Sequence, residues 1–250
     1  MKTAVKFDEF PPVDFGHTAF LFDVDGTLLD IAPVPGAVDV PSQLPDCLVG
    51  LEGRCDGALA FVSGRTLAEL DTLFAPLVLP AIGSHGGEIR FGRNDVFREP
   101  PLPGEVKARF RGLADADHRI IFEDKGCSIA FHYRLVPQIQ PVLLQALQQK
   151  QADLQEDGLE VLRGKAIIEI KPKRYNKATA LRRLMQERPF LGRRPLFAGD
   201  DTTDEDVFAI LPEMHGTGIS VGRRMTGAAY SVGRPEDMRS WLCRLESGTG

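Results

Sequence analysis

Apolar and polar positions along this chain follow two rhythms, and the change between them divides it. Toward both ends, short continuous apolar runs are each stopped abruptly by polar residues. Ala19-Phe20-Leu21-Phe22 is stopped by Asp23-Val24-Asp25-Gly26. Ala58-Leu59-Ala60-Phe61-Val62 is stopped by Ser63-Gly64-Arg65, and Pro195-Leu196-Phe197-Ala198 by Gly199-Asp200-Asp201. Runs that are apolar at every position suit strands covered on both faces, as in a parallel sheet. Helix signals alternate with them. Thr66-Leu67-Ala68-Glu69 reads as a capping box, with Leu67, Leu70 and Phe74 on one face and Pro76 as a stop. Asn176 is a cap for a helix carrying Leu181, Leu184 and Met185 before Pro189.

In the middle the apolar positions alternate with period two, the mark of a half-exposed antiparallel sheet. Arg119–Lys125 and Cys127–Arg134 form one predicted hairpin, and Leu159–Arg163 with Lys165–Lys171 a second around Gly164. Between them Gln138–Lys150 reads as a helix with Ile139, Val142, Leu143 and Leu147 as its apolar stripe. The fold class expected is therefore α/β: a Rossmann-like parallel-sheet core from residues 1–101 and 173–250, with an inserted α+β cap, or lid, over 102–172. In such sheets ligands bind at the carboxyl ends of the strands, where the polar stops collect.

Composition narrows the function. The 250 residues are 43% hydrophobic, enough for a sizeable core. Thirty Lys and Arg against 35 Asp and Glu leave a net charge of −5, which argues against a nucleic-acid surface. No apolar run approaches the roughly 20 residues that span a bilayer. Met1–Phe15 carries acids and prolines where a secretory leader needs its apolar stretch. Cys47, Cys55, Cys127 and Cys243 lack the close pairs of a zinc site, so four reduced, buried thiols in a cytoplasmic protein are expected.

The candidate chemistry lies at the polar stops. Asp23 and Asp25, two apart at the end of a strand, point the same way if the chain stays extended, and they repel unless a cation lies between them. One could attack an electrophile while the other moves protons. The plain alternative is an Asp-Gly turn. Asp200-Asp201-Thr202-Thr203-Asp204-Glu205-Asp206 places five acids in seven positions after another strand, more than a helix N-terminus requires. Oxygen ligands of that kind favour magnesium. Lys177, a cation at the start of a helix, opposes the helix dipole unless it faces an anion such as a phosphoryl group. Ser63 is either a capping hydroxyl or a hydrogen-bond donor to that group.

Taken together in this order, these motifs resemble those of the haloacid-dehalogenase-like phosphatases, and more closely the trehalose-6-phosphate phosphatases. The likeness runs from about Phe20 to Trp241 through Phe22–Leu28, Ala60–Leu70, Gly83–Glu88, Phe131–Arg134, Ile168–Pro172, Asn176–Ala180 and Gly199–Phe208. Ala178 and Gly87 depart from the usual Gly and Ala, and neither removes a functional group. The resemblance implies a magnesium-dependent hydrolysis of trehalose 6-phosphate, the last step of trehalose biosynthesis, through an aspartyl phosphate. It implies Asp23 as nucleophile, Asp25 as acid and base, and Ser63 and Lys177 as holders of the phosphoryl group. It gives the metal the Asp23 carboxylate, the Asp25 backbone carbonyl and Asp200, with Asp201 or Asp204 in support. It places Glu123, Lys125 and Glu169 on the disaccharide, and His85 and Arg65 near the phosphate and sugar. On a β-strand Ser128, Ala130, His132 and Arg134 share one face, and Glu169 shares one with Lys165 and Lys171. A monomer that binds neither nucleic acid nor membrane is expected. The alternatives are another sugar phosphate, such as sucrose 6-phosphate or mannosyl-phosphoglycerate, or a non-catalytic partner of a trehalose-phosphate synthase.

Overall fold

The computed structural model describes residues 13–31, 38–92, 95–164 and 166–247; Lys165 and most of the N-terminal stretch read for a leader lie outside them. In chain order the elements are β1 (Thr18–Phe22), α1 (Leu44–Arg54), β2 (Leu59–Val62), α2 (Leu67–Leu73), β3 (Ala81–Gly83), β4 (Glu88–Gly92) and β5 (Asp95–Arg98). Then come α3 (Gly104–Arg111), β6 (Ile121–Asp124), β7 (Ile129–His132), α4 (Gln140–Gln149), α5 (Gln151–Glu156), β8 (Leu159–Gly164) and β9 (Ile167–Pro172). The chain ends through α6 (Lys177–Leu184), β10 (Arg194–Gly199), α7 (Thr202–Ile210), β11 (Thr217–Val221), β12 (Tyr230–Val232) and α8 (Pro235–Ser247). They fall into two compact units, Met1–Phe97 with Asn176–Gly250, and Arg98–Tyr175.

The first unit holds an eight-stranded sheet in the order β12-β11-β10-β1-β2-β3-β4-β5. Its central strand β1 runs parallel to both β10 and β2. The apolar runs read from sequence are these three strands, and Phe20, Phe22, Phe61 and Phe197 are buried in one core with Phe208 of α7. Phe22 is in register with both Ala198 and Phe61, so the residues that follow the three strands emerge level at one edge. Two helices begin where their caps require. The Thr66 hydroxyl accepts from the Glu69 N–H while the Glu69 carboxylate accepts from the Thr66 N–H, and Asn176 makes the same reciprocal pair with Thr179.

The second unit is a four-stranded antiparallel sheet, β6-β7-β9-β8, with its own core of Phe110, Ile129, Phe131, Leu143, Ile168 and Ile170. Its two hairpins match the segments that alternation predicts, with β8 and β9 each ending one residue later, at Gly164 and Pro172. The helix stripe needs one correction: Leu143 and Leu147 are buried, whereas Val142 is 50% exposed. One residue along a helix is a turn of about 100°, and that carries Val142 off the packed face.

The thiols need a larger correction. Cys47 of α1 and Cys243 of α8 form a disulfide with a Cα–Cα distance of 4.9 Å; Cys55 and Cys127 are buried thiols outside it. The pair is 196 residues apart, so nothing in local spacing announces it; packing of α8 on α1 brings the two together. One support for the expected cytoplasmic location, four reduced thiols, is thereby removed. Among the described residues no helix is long and apolar enough to cross a membrane.

Candidate active site

Asp23 directly follows β1, Ser63 follows β2 and Asp200 follows β10, so sheet topology alone gathers them at one edge. Lys177 joins them from the first turn of α6. Its Nζ donates to Asp23 Oδ1 at 2.7 Å and to Asp204 Oδ1 at 2.7 Å, with all three side chains buried. These two carboxylates account for a cation placed against the helix dipole. Burial works against the ammonium charge, but Asp204 and Asp23 outweigh it and hold the Lys177 pKa above the ordinary lysine value. For Asp23 burial is the largest influence and raises the pKa well above the ordinary carboxylate value. Asp204 and Asp200 add to it, and Lys177 opposes it. Three buried carboxylates face one ammonium, and that surplus of negative charge calls for a cation.

The donor set fits a hard one. Asp23, Asp200 and Asp204 each bring a carboxylate oxygen within 4.8 Å of the others. Their availability differs. Asp204 Oδ2 accepts the backbone N–H groups of Asp200 and Asp201, at 2.9 and 3.0 Å, while Oδ1 takes Lys177. Asp204 is thus occupied in orienting its neighbours, and Asp201 caps α7 and accepts the Thr202 N–H at 2.7 Å. Gly26 completes the cradle. It has φ +91°, and a Cβ there would lie 2.2 Å from Asp200 Oδ2, so only glycine lets the loop meet that carboxylate. The neighbouring Thr27 Oγ1 is buried without a hydrogen-bond partner among the described residues.

Asp25 is held differently. Arg65 donates to it twice, Nε to Oδ2 at 2.6 Å and Nη2 to Oδ1 at 2.7 Å. The arginine expected beside phosphate and sugar therefore grips the expected acid and base. Ser63, buried, accepts the Arg65 N–H at 3.1 Å and so shapes the loop that carries this arginine. His85 has a left-handed backbone, φ 53°, and donates its N–H to the Ser63 carbonyl at 3.1 Å. Its ring lies over Gly64, where a Cβ would come 2.4 Å from Nε2. A non-glycine residue in this conformation costs energy, and such strain collects at functional sites.

In the second unit Glu123, Lys125 and Glu169 meet. Lys125 Nζ lies 4.0 Å from Glu123 Oε2 and 3.5 Å from Glu169 Oε2. Lys171, which sequence alternation puts on that face, is instead fully buried and committed. It donates to the carbonyls of Pro172 and Tyr175 and pairs with Glu160 at 2.7 Å.

His132, which alternation puts on the polar face of its strand, has Nε2 2.6 Å from Glu123 Oε2. One contributor has no local signal. Arg239 of α8 donates to the Leu28 carbonyl at 3.0 Å and pairs with Asp30 at 3.1 Å, bracing the loop that follows Asp25 from 211 residues away.

Comparison with known proteins gives the family. The trehalose-phosphatase family model matches residues 21–232. The chain is similar to the trehalose-6-phosphate phosphatase of Escherichia coli K12, 36% identical over 231 residues that cover 90% of this chain and 85% of that protein. It is 38% identical over 236 residues to a probable trehalose-phosphate phosphatase of Sinorhizobium fredii, covering 93% and 89% of the two chains. In fold it resembles the solved C-terminal domain of a C. albicans trehalose-6-phosphate phosphatase, with a TM-score of 0.79 at 24% identity over 93% and 92% of the chains. A crystal structure of a trehalose-6-phosphate phosphatase related protein gives 0.73 at 25% identity, over 92% and 98%. The chain belongs to the trehalose-phosphatase family.

Proposed function

We propose that this chain hydrolyses trehalose 6-phosphate to trehalose and phosphate, the last step of trehalose biosynthesis, by a magnesium-dependent covalent mechanism. The observation that carries the reading is the buried set of Asp23, Lys177 and Asp204 beside Asp200 at the carboxyl edge of β1 and β10. Asp23 attacks phosphorus through a carboxylate oxygen, and the bond from phosphorus to the sugar oxygen breaks. Asp25 delivers a proton to that oxygen as trehalose leaves. It then takes a proton from water, which attacks the aspartyl phosphate, releases phosphate and restores Asp23. Lys177 and the Ser63 hydroxyl hold the phosphoryl oxygens, and Arg65 sets where the Asp25 carboxylate stands. Asp23, Asp200 and the Asp25 backbone carbonyl are the residues that would hold magnesium, with Asp204 fixing Asp200 from behind. Bound there, the ion would neutralise negative charge as the phosphoryl group is transferred.

Sugar recognition falls to Glu123, Lys125 and Glu169 of the second unit, whose carboxylate and ammonium groups can each serve several hydroxyls. His85 is a further candidate contact at the rim of the first unit. The test is phosphate release from trehalose 6-phosphate beside sucrose 6-phosphate and other sugar phosphates, with magnesium and with excess chelator. Preference for trehalose 6-phosphate, lost in chelator, is the expected result. Equal rates on all sugars would overturn the substrate, and full activity in chelator would overturn the metal.

A further inference from the structure

The polar face of the second unit is built around a small residue. Ala130 of β7 is in register with Glu123 of β6 on one side and Glu169 of β9 on the other, and residues directly opposite across a sheet share a face. Two carboxylates therefore flank a methyl group, with Lys125 between them. Two residues further along β7, His132 projects on the same side as Ala130. Its Nε2 is 2.6 Å from Glu123 Oε2, the same oxygen that faces Lys125. Ser128, two residues the other way, is buried on this face with an Oγ that has no partner among the described residues. An ordinary solvated sheet face does not enclose its charges to this degree. Lys125 and Glu169 keep only 6% and 2% of their side chains exposed, and His132 only 16%.

A flexible Glu123 has two competing fates. It can turn wholly onto Lys125, consuming both as an internal ion pair, or it can stand apart and accept a hydroxyl. The 2.6 Å contact with His132 draws Oε2 away from Lys125, which stays 4.0 Å distant, and neither tie falls on Oε1. We propose that His132 is a positioning residue for sugar recognition, holding Glu123 by one oxygen so that the other is presented to a sugar hydroxyl. This rests on the reading of Glu123 as a sugar contact and deepens it. His132 itself touches no substrate; its effect passes through the carboxylate.

Indirect action has a signature that packing alone does not share. His132→Ala is expected to lower kcat/KM for trehalose 6-phosphate by about tenfold, the loss falling on KM, as for removal of a partner from a charged hydrogen bond. His132→Gln, whose amide can donate to the same oxygen, is expected to recover activity to within about threefold of the parent. In a Glu123→Ala background, adding His132→Ala is expected to cost less than about twofold, because the group it positions is gone. His132→Leu keeps the volume without the donor and replaces the alanine variant if a melting curve shows that one unfolded. If Glu123→Ala costs tenfold or more while His132→Ala and His132→Leu cost nothing, this inference falls and the reading of Glu123 stands. Losses that add in the double variant, or failure of Gln to restore activity, also overturn it. If Glu123→Ala itself leaves KM unchanged, the sugar-contact reading fails first and this inference with it.

Discussion

In the parallel-sheet unit Lys177 holds Asp23 and Asp204 at 2.7 Å each and all three are buried, while Asp25, in the grip of Arg65, keeps 36% of its side chain open. On the antiparallel sheet Lys125 and Glu169 are as enclosed, at 6% and 2%, but Lys125 stands 3.5 and 4.0 Å from its two carboxylates and Glu123 keeps 27% of its side chain open. The contrast follows from the two kinds of sheet. A strand covered on both faces offers chemistry only at its end, so side chains from several strands converge there and crowd one another. Crowded carboxylates hold together only through counter-charge, which Lys177 supplies in part and a cation would complete. A sheet with one polar face offers groups spaced by the strand separation of about 4.8 Å, and spread-out groups suit the scattered hydroxyls of a sugar. In the proposed function, charge is concentrated where a bond must break and distributed where a shape must be recognised.

The comparison can be broken in several places, beginning with the nucleophile. Asp23→Asn is expected to abolish hydrolysis of both trehalose 6-phosphate and p-nitrophenyl phosphate, by about four orders of magnitude or more, since an amide is a very poor nucleophile. A melting curve should show the protein still folded, and near-normal activity would remove the covalent mechanism. Metal removal should act on both substrates alike. After chelation, added magnesium is expected to restore the parent chain but not Asp200→Ala, measured as phosphate released against magnesium concentration.

A change in the second unit should separate the substrates. Lys125→Ala is expected to lower kcat/KM for trehalose 6-phosphate by about ten- to a hundredfold. Hydrolysis of p-nitrophenyl phosphate, which carries no disaccharide, should stay within about twofold. The smallest kinetic effect belongs to the disulfide. Cys47→Ser is expected to lower stability by about 2–5 kcal/mol, because it releases a loop closed across most of the chain. Rates on both substrates should change little, and denaturant unfolding beside the two assays checks this.

How much of this was legible in the sequence depended on distance along the chain. β1, β2 and β10 were readable because each apolar run is continuous and ends at a polar stop. Asp23, Asp25, Ser63 and Asp200 were readable because strand ends place them without help from elsewhere. Lys177 stood out through its conflict with the helix dipole, and the two carboxylates that resolve it lie 154 and 27 residues away. The grip of Arg65 on Asp25, the brace from Arg239 and the Cys47–Cys243 bond span 40, 211 and 196 residues. Such pairings arise from packing, and periodicity carries no trace of them. Alternation also left open what Lys171 does: it gives the residue's face, whereas the backbone carbonyls of Pro172 and Tyr175 that engage its ammonium are set by the turn after β9.

The division of labour between the two units is the central claim, and one ratio tests it most directly. The ratio is kcat/KM for trehalose 6-phosphate over that for p-nitrophenyl phosphate, measured for the parent, Glu169→Ala and Ser63→Ala, with each variant confirmed folded. The account predicts a fall of about ten- to a hundredfold for Glu169→Ala, whose carboxylate is proposed as a sugar contact. For Ser63→Ala it predicts an unchanged ratio, because both rates drop together when a phosphoryl contact is lost. An unchanged ratio in Glu169→Ala, or a collapsed one in Ser63→Ala, would contradict it.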